Sequence, residues 1–137
     1  MKIENQVCTL EQAKKLKELL NLGQWKNVDF NFYWMLTEGA LDYFLTTGPR
    51  VGGYAYPIDQ VPCFTVAELG VMLPSETGTQ RTGSEDSDYA NWEWADDNNQ
   101  MGMGMFATEA EARADCIICL LEKKLITPEE VNNRLNQ

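Results

Sequence analysis

The segment Phe106–Ile126, "FATEAEARADCIICLLEKKLI", holds the longest apolar stripe in the 137-residue chain. Thr108 followed three residues later by Glu111 is a capping box. The Thr hydroxyl accepts a free backbone N–H, and the Glu side chain reaches back to the Thr amide. From there Ala110, Ala114, Ile117, Leu120 and Leu121 recur at helical spacing, which predicts a helix over 109–123 with one face in the core. Lys123 and Lys124 fall in its last turn, where cations suit the helix dipole. The Cys116–Cys119 pair has the spacing of a redox motif. A redox thiolate, however, sits at a helix N-terminus. Here the pair lies mid-helix beside Ile117, Ile118 and Leu120, so it reads as buried small hydrophobes.

The same cap signal occurs three more times. Thr9 and Gln12 open a helix over 10–20, with Leu10, Ala13, Leu16 and Leu20 on one side and Gly23 as its stop. Thr65 and Glu68 open a short helix over 66–72, which Pro74 ends. Thr127 and Glu130, with Pro128 at the first helical position, open a last helix over 128–135. Cys8 with Ala13, Phe64 with Leu69 and Ile126 with Val131 are placed as hydrophobic staples.

Between the helices lie strand patterns. "VDFNFYWML" alternates Val28, Phe30 and Phe32 on one face, and "LDYFLTT" returns through the turn "TEGA". "YANWEWA" and "MGMGMF" flank the turn cluster "DDNNQ" as a second hairpin. Gly102 and Gly104 either weaken that strand or admit a close neighbour. The stretches "TGPRVGGYAYPIDQVP" and "PSETGTQRTGSEDSD" read as long loops. The order is α-β-β-α-β-β-α-α. The fold class is α+β: one antiparallel sheet of about four strands, in two hairpins, packed by helices in a single domain of residues 1–137.

Charge and composition exclude several functions. The net charge is −10, and residues 27–112 carry 14 acids against only Arg50 and Arg81. Phosphate backbones are bound by Lys and Arg, so a nucleic-acid partner is not expected. The stretch "FTVAELGVMLPSETGTQRTG" starts like a helix-turn-helix, but a Gly- and Thr-rich segment stands where a basic recognition helix belongs. The chain has no histidine, which removes Ser-His and Cys-His nucleophilic catalysis. Zinc needs four ligands and the chain has no histidine; Cys8 and Cys63 could complete an all-cysteine set, but neither forms a knuckle pair. No EF-hand spacing or Gly-rich phosphate loop occurs. The sequence therefore offers no metal set, no cofactor motif and no catalytic residues. No apolar run approaches the roughly 18 residues of a membrane span. The N-terminus lacks the apolar region of a signal peptide, so the expected location is the cytoplasm.

Two surfaces remain as candidates. Glu85, Asp86, Asp88, Asp96 and Asp97 form the densest acidic segment, and they suit a protein contact through charge complementarity. Alternatively Trp92, Glu93 and Trp94 make a polar-ligand site, with the tryptophans stacking on a sugar and a carboxylate as acid or base. Trp92 and Trp94 lie two apart in a strand, so both face the same side.

The segments "CTLEQAKKLKELL", "FYWML", "FTVAELGVMLP" and "FATEAEARADCIICLLEKKLI", in that order and covering about half the chain, resemble small acidic proteins of phages and prophages of gut bacteria. The resemblance implies a virus-encoded accessory role in the host cell and supplies no catalytic residues. A phage or host protein is then the expected partner. A homodimer through a helical face is a further option.

Overall fold

A computed structural model describes residues 3–22, 30–39, 41–47, 57–75, 77–82, 91–95 and 101–136. After a single 3-10 turn at Ile3–Asn5 the elements are α1 (Leu10–Leu19), β1 (Phe32–Thr37), β2 (Phe44–Thr47), β3 (Pro57–Cys63), α2 (Val66–Met72), β4 (Gly78–Thr82), β5 (Asn91–Ala95), β6 (Met101–Phe106), α3 (Glu109–Glu122) and α4 (Pro128–Leu135). The fold is α+β, and every strand pairing is antiparallel.

The strands do not form one four-stranded sheet. Among the described residues they form two sheets of three, in the orders β2-β1-β3 and β4-β5-β6. The added members, β3 and β4, come from stretches that read as loops, and both are edge strands. β3 carries Pro57 and Pro62, and a proline cannot donate to a ladder on both sides, so only an edge accommodates it. β4, "GTQRT", has no apolar alternation, yet its two threonines are β-branched and suit a pleated surface. Both expected hairpins do pair: β1 with β2, and β5 with β6. The "DDNNQ" turn lies outside the described residues.

Within β1 the buried positions are Tyr33 and Met35. Phe30 precedes the strand and packs edge-on against Tyr33 (centroids 6.1 Å) and Phe64 (5.4 Å). Phe32 and Trp34, on the opposite face, are half-buried against the same core. The Trp34 indole N–H donates to the Cys8 carbonyl at 3.2 Å. Val28 lies outside the described residues.

The helices start where the caps predict. At α1 and α2 the box is reciprocal: Thr9 and Gln12, and Thr65 and Glu68, each exchange both hydrogen bonds. At α3 and α4 it is half-made. Thr108 and Thr127 accept the N3 amides. The Glu111 carboxylate instead takes the Ala107 N–H at 3.1 Å, and Glu130 turns toward Arg134 at 3.8 Å. α1 ends earlier than Gly23 would place its stop. Leu20 is its C-cap, and Asn21 follows at φ 54°, a left-handed conformation that Asn tolerates. Lys123 is the C-cap of α3 rather than part of its last turn.

α3 is the hub, packing against α1, α2, β4, β5 and β6. Ala110, Ala114, Ile117, Leu120 and Leu121 are buried as the stripe predicts, and so are Ala112, Cys116 and Ile118. One buried cluster draws on all four helices and on strands of both sheets.

The complete and half-made boxes differ measurably. Thr65→Ala is expected to cost about 1–2 kcal/mol and Thr127→Ala about 0.5–1 kcal/mol. Urea denaturation of both variants reads the difference, and equal losses contradict the reciprocal geometry at Thr65.

Candidate functional site

The register of β4 on β5 sets the geometry of the site. Thr79 opposes Trp94, Gln80 opposes Glu93, and Arg81 opposes Trp92. Alternate residues share a face, so Thr79, Arg81, Trp92 and Trp94 point to one side, and Gln80 and Glu93 to the other. The first side faces α3. The Thr79 hydroxyl donates to Glu109 Oε1 at 3.0 Å, and the Trp94 indole N–H donates to Asp115 Oδ2 at 2.8 Å. On the second side the Gln80 amide donates to the Glu93 carboxylate.

This arrangement separates the ligand candidates read from the sequence. Trp94 is 3% exposed, with its only polar atom already bonded to α3, so it offers no stacking surface. Glu93 lies across the sheet from Trp92. The structure therefore does not bring Trp92, Glu93 and Trp94 together as one site. Glu85, Asp86, Asp88, Asp96 and Asp97 lie outside the described residues.

Trp92 instead lines a cleft of about 320 Å³ at the start of α3, with Arg81, Asn5, Val66, Ala107, Thr108 and Glu109. A second hollow of about 310 Å³, between α2, β4 and α3, shares Glu109 and adds Arg113. Glu109 borders both, and it is tied to Arg113 of the second. Arg113 Nη2 meets Glu109 Oε1 at 2.7 Å, and its Nη1 donates to the Val66 carbonyl at 2.6 Å. That approach needs Gly70, where a Cβ would stand 2.5 Å from Arg113 Nη1. Glu109 Oε1 thus accepts from Thr79 and Arg113 together. The Arg81 guanidinium, by contrast, makes no hydrogen bond or ion pair among the described residues.

The thiols are sequestered. Cys8, Cys63 and Cys116 are buried and Cys119 is half-buried, all four as free thiols. Burial pushes the Cys8 thiol up to about 12, with a smaller contribution from Glu68. Burial also raises Cys63, reinforced by Cys8 and Glu68. These are protonated, unreactive groups at neutral pH. After α2 the chain enters β4, a strand, where a helix-turn-helix requires its recognition helix. Among the described residues no helix is long and apolar enough to cross a membrane.

The chain matches no known protein family, no curated protein and no solved structure. Of the residues that line the cleft, sequence motifs single out Trp92, as a ligand candidate, and Thr108, as a helix cap. Arg81 registers there only as one of two bases in an acidic region. Its place beside Trp92 follows from a strand pairing that local patterns do not reveal.

Two outcomes follow from this geometry. Trp94→Phe keeps the ring packing and leaves the Asp115 carboxylate without its donor, at a cost of about 1–3 kcal/mol. Asp115→Asn with wild-type Trp94 is expected to cost less, because an amide oxygen still accepts. Chemical denaturation that shows no loss for Trp94→Phe contradicts the bond. The thiols give the second outcome. Their folded values lie above the ordinary value of 9.0, so an unfolded chain ionises first as pH rises. The stability they contribute is complete below about pH 9 and is lost as pH climbs toward the raised values, by up to ~1.4 kcal/mol per pH unit for each thiol. Urea titrations from pH 8 to 11 check this, and replacing both cysteines with alanine is expected to flatten the slope.

Proposed function

We propose that the chain is a non-enzymatic accessory protein of a phage or prophage that works in the host cytoplasm through protein–protein contacts. The observation that carries this reading is at the β1–β2 end of the first sheet. Leu41 is fully exposed there and Phe44, on the edge strand β2, is 43% exposed. Glu38 and Asp42 beside them are exposed as well. Apolar side chains displayed on an edge and rimmed by charge are the usual marks of a contact surface. The acidic excess supports the same reading, since it favours basic partner surfaces and disfavours nucleic acid. So does the order of segments resembling small acidic phage and prophage proteins. The reading of Trp92, Glu93 and Trp94 as a joint sugar site or hydrolase is not favoured by the geometry, because the strand divides those side chains between two faces.

The test uses three forms of the full chain in partner capture from a gut-bacterial lysate. They are the wild type, a charge reversal of Glu85, Asp86, Asp88, Asp96 and Asp97 to lysine, and Leu41→Ser with Phe44→Ser. Circular dichroism melts verify that each form folds. A partner retained by the wild type and lost by the variants is expected. Identical partners at equal yield from all three overturn the contact reading.

A further inference from the structure

We propose that the cleft between the first turn of α3 and the β4–β5 pair binds a small planar carboxylate, with Arg81 as the anion-binding group and Trp92 as the stacking wall. Arg81 and Trp92 are directly opposed in the register, so both side chains leave the same face of the sheet a few ångströms apart. One step further along that face, Thr79 and Trp94 are covered by α3 through Glu109 and Asp115. The helix begins at Glu109, and Arg81 and Trp92 are left as the walls of an opening about 320 Å³ in volume.

Among the described residues that line the opening, the charged ones are Arg81 and Glu109. Glu109 is the cleft's acid, and its Oε1 already accepts from the Thr79 hydroxyl and the Arg113 guanidinium. The Glu111 carboxylate is held by the Ala107 N–H. The Arg81 guanidinium has no hydrogen bond or ion pair among the described residues, and it lines the same opening as Thr108 and Glu109 at the positive end of the α3 dipole. A cation is disfavoured at that end of a helix. Arg81 is exposed, and a bound anion would offset the unfavourable placement of its charge. A guanidinium presents a planar fork that matches a carboxylate bidentately. The Trp92 ring, half-buried at the same wall, favours an offset planar partner. The volume is at the small end of ligand sites, roughly 300–1,000 Å³, so it takes one ring with its carboxylate. This inference does not depend on the protein-contact reading and stands or falls separately.

The experiment is NMR of the full chain with labelled tryptophan indoles, the Trp92 signal being assigned by Trp92→Phe. The probes are benzoate, benzamide and acetate. Benzoate is expected to shift the Trp92 indole resonance saturably with a Kd of about 1 mM, the range for a ligand of this size, and to leave Trp34 unmoved. Benzamide, which lacks the anion, and acetate, which lacks the ring, are each expected to bind at least about tenfold more weakly, as is benzoate to Arg81→Gln. No shift of Trp92 at benzoate concentrations up to about 10 mM overturns the site. Equal binding of benzamide overturns the role of the anion, and equal binding of acetate overturns the role of the ring. Unweakened binding to Arg81→Gln overturns the assignment of Arg81. Should that variant fail to fold, the benzoate–benzamide contrast on the wild type still decides the claim.

Discussion

Burial of α3 from several sides is the constraint on which the rest of the structure depends. A surface helix hides one stripe. Here Ala112, Cys116 and Ile118 are buried along with the expected Ala110, Ala114, Ile117, Leu120 and Leu121. This is possible only because α1 and α2 lie against some faces while β4, β5 and β6 lie against others. The small side chains at 110, 112 and 114 suit this position, since they let neighbouring elements approach the helix axis closely. The second sheet therefore has a fixed role. Its α3-facing side closes the core that the first sheet and α1 leave open.

The polar groups of α3 then act as locating pins. Glu109 takes Thr79 of β4, Asp115 takes Trp94 of β5, and Arg113 reaches the Val66 carbonyl at the start of α2. The Glu111 carbonyl accepts from Gln12 of α1 at 2.9 Å. Each bond joins α3 to a different element, and together they fix the helix in rotation as well as in position. The cleft beside Trp92 is a consequence. It opens where the helix starts, two residues along the strands from the last pinned pair.

The sequence made the helices legible and half of the strand pairing invisible. A cap is a local device: Thr9 with Gln12, or Thr65 with Glu68, identifies itself within four residues, and α2 and α4 begin and end where those signals place them. An edge strand has no such signature. β3 carries prolines because one side of it is unpaired, and β4 is polar because little of it is buried. The features that permit an edge position are those that make a segment read as loop. Trp94 could be assigned a partner for its face but not a destination, since Asp115 is 21 residues away. The Arg81–Trp92 pair required the β4–β5 register, and with β4 unseen there was no register to read.

The distribution of charge follows from the same architecture. The cations placed on the helices serve as ties between elements. Lys15 joins α1 to Glu122 of α3 at 2.6 Å, Lys17 donates to the Gln60 carbonyl of β3, and Arg134 of α4 donates to the Met72 carbonyl at the end of α2. Lys14 stands 4.6 Å from the centroid of the Tyr43 ring. With acids nearly twice as numerous as bases, the surplus carboxylates dominate the long-range field. Such a field raises encounter rates with basic surfaces and lowers them with phosphate backbones, before any specific contact forms. Arg81 departs from this pattern, since no carboxylate among the described residues pairs with it. It is a positive point in a region of the chain where acids outnumber bases fourteen to two.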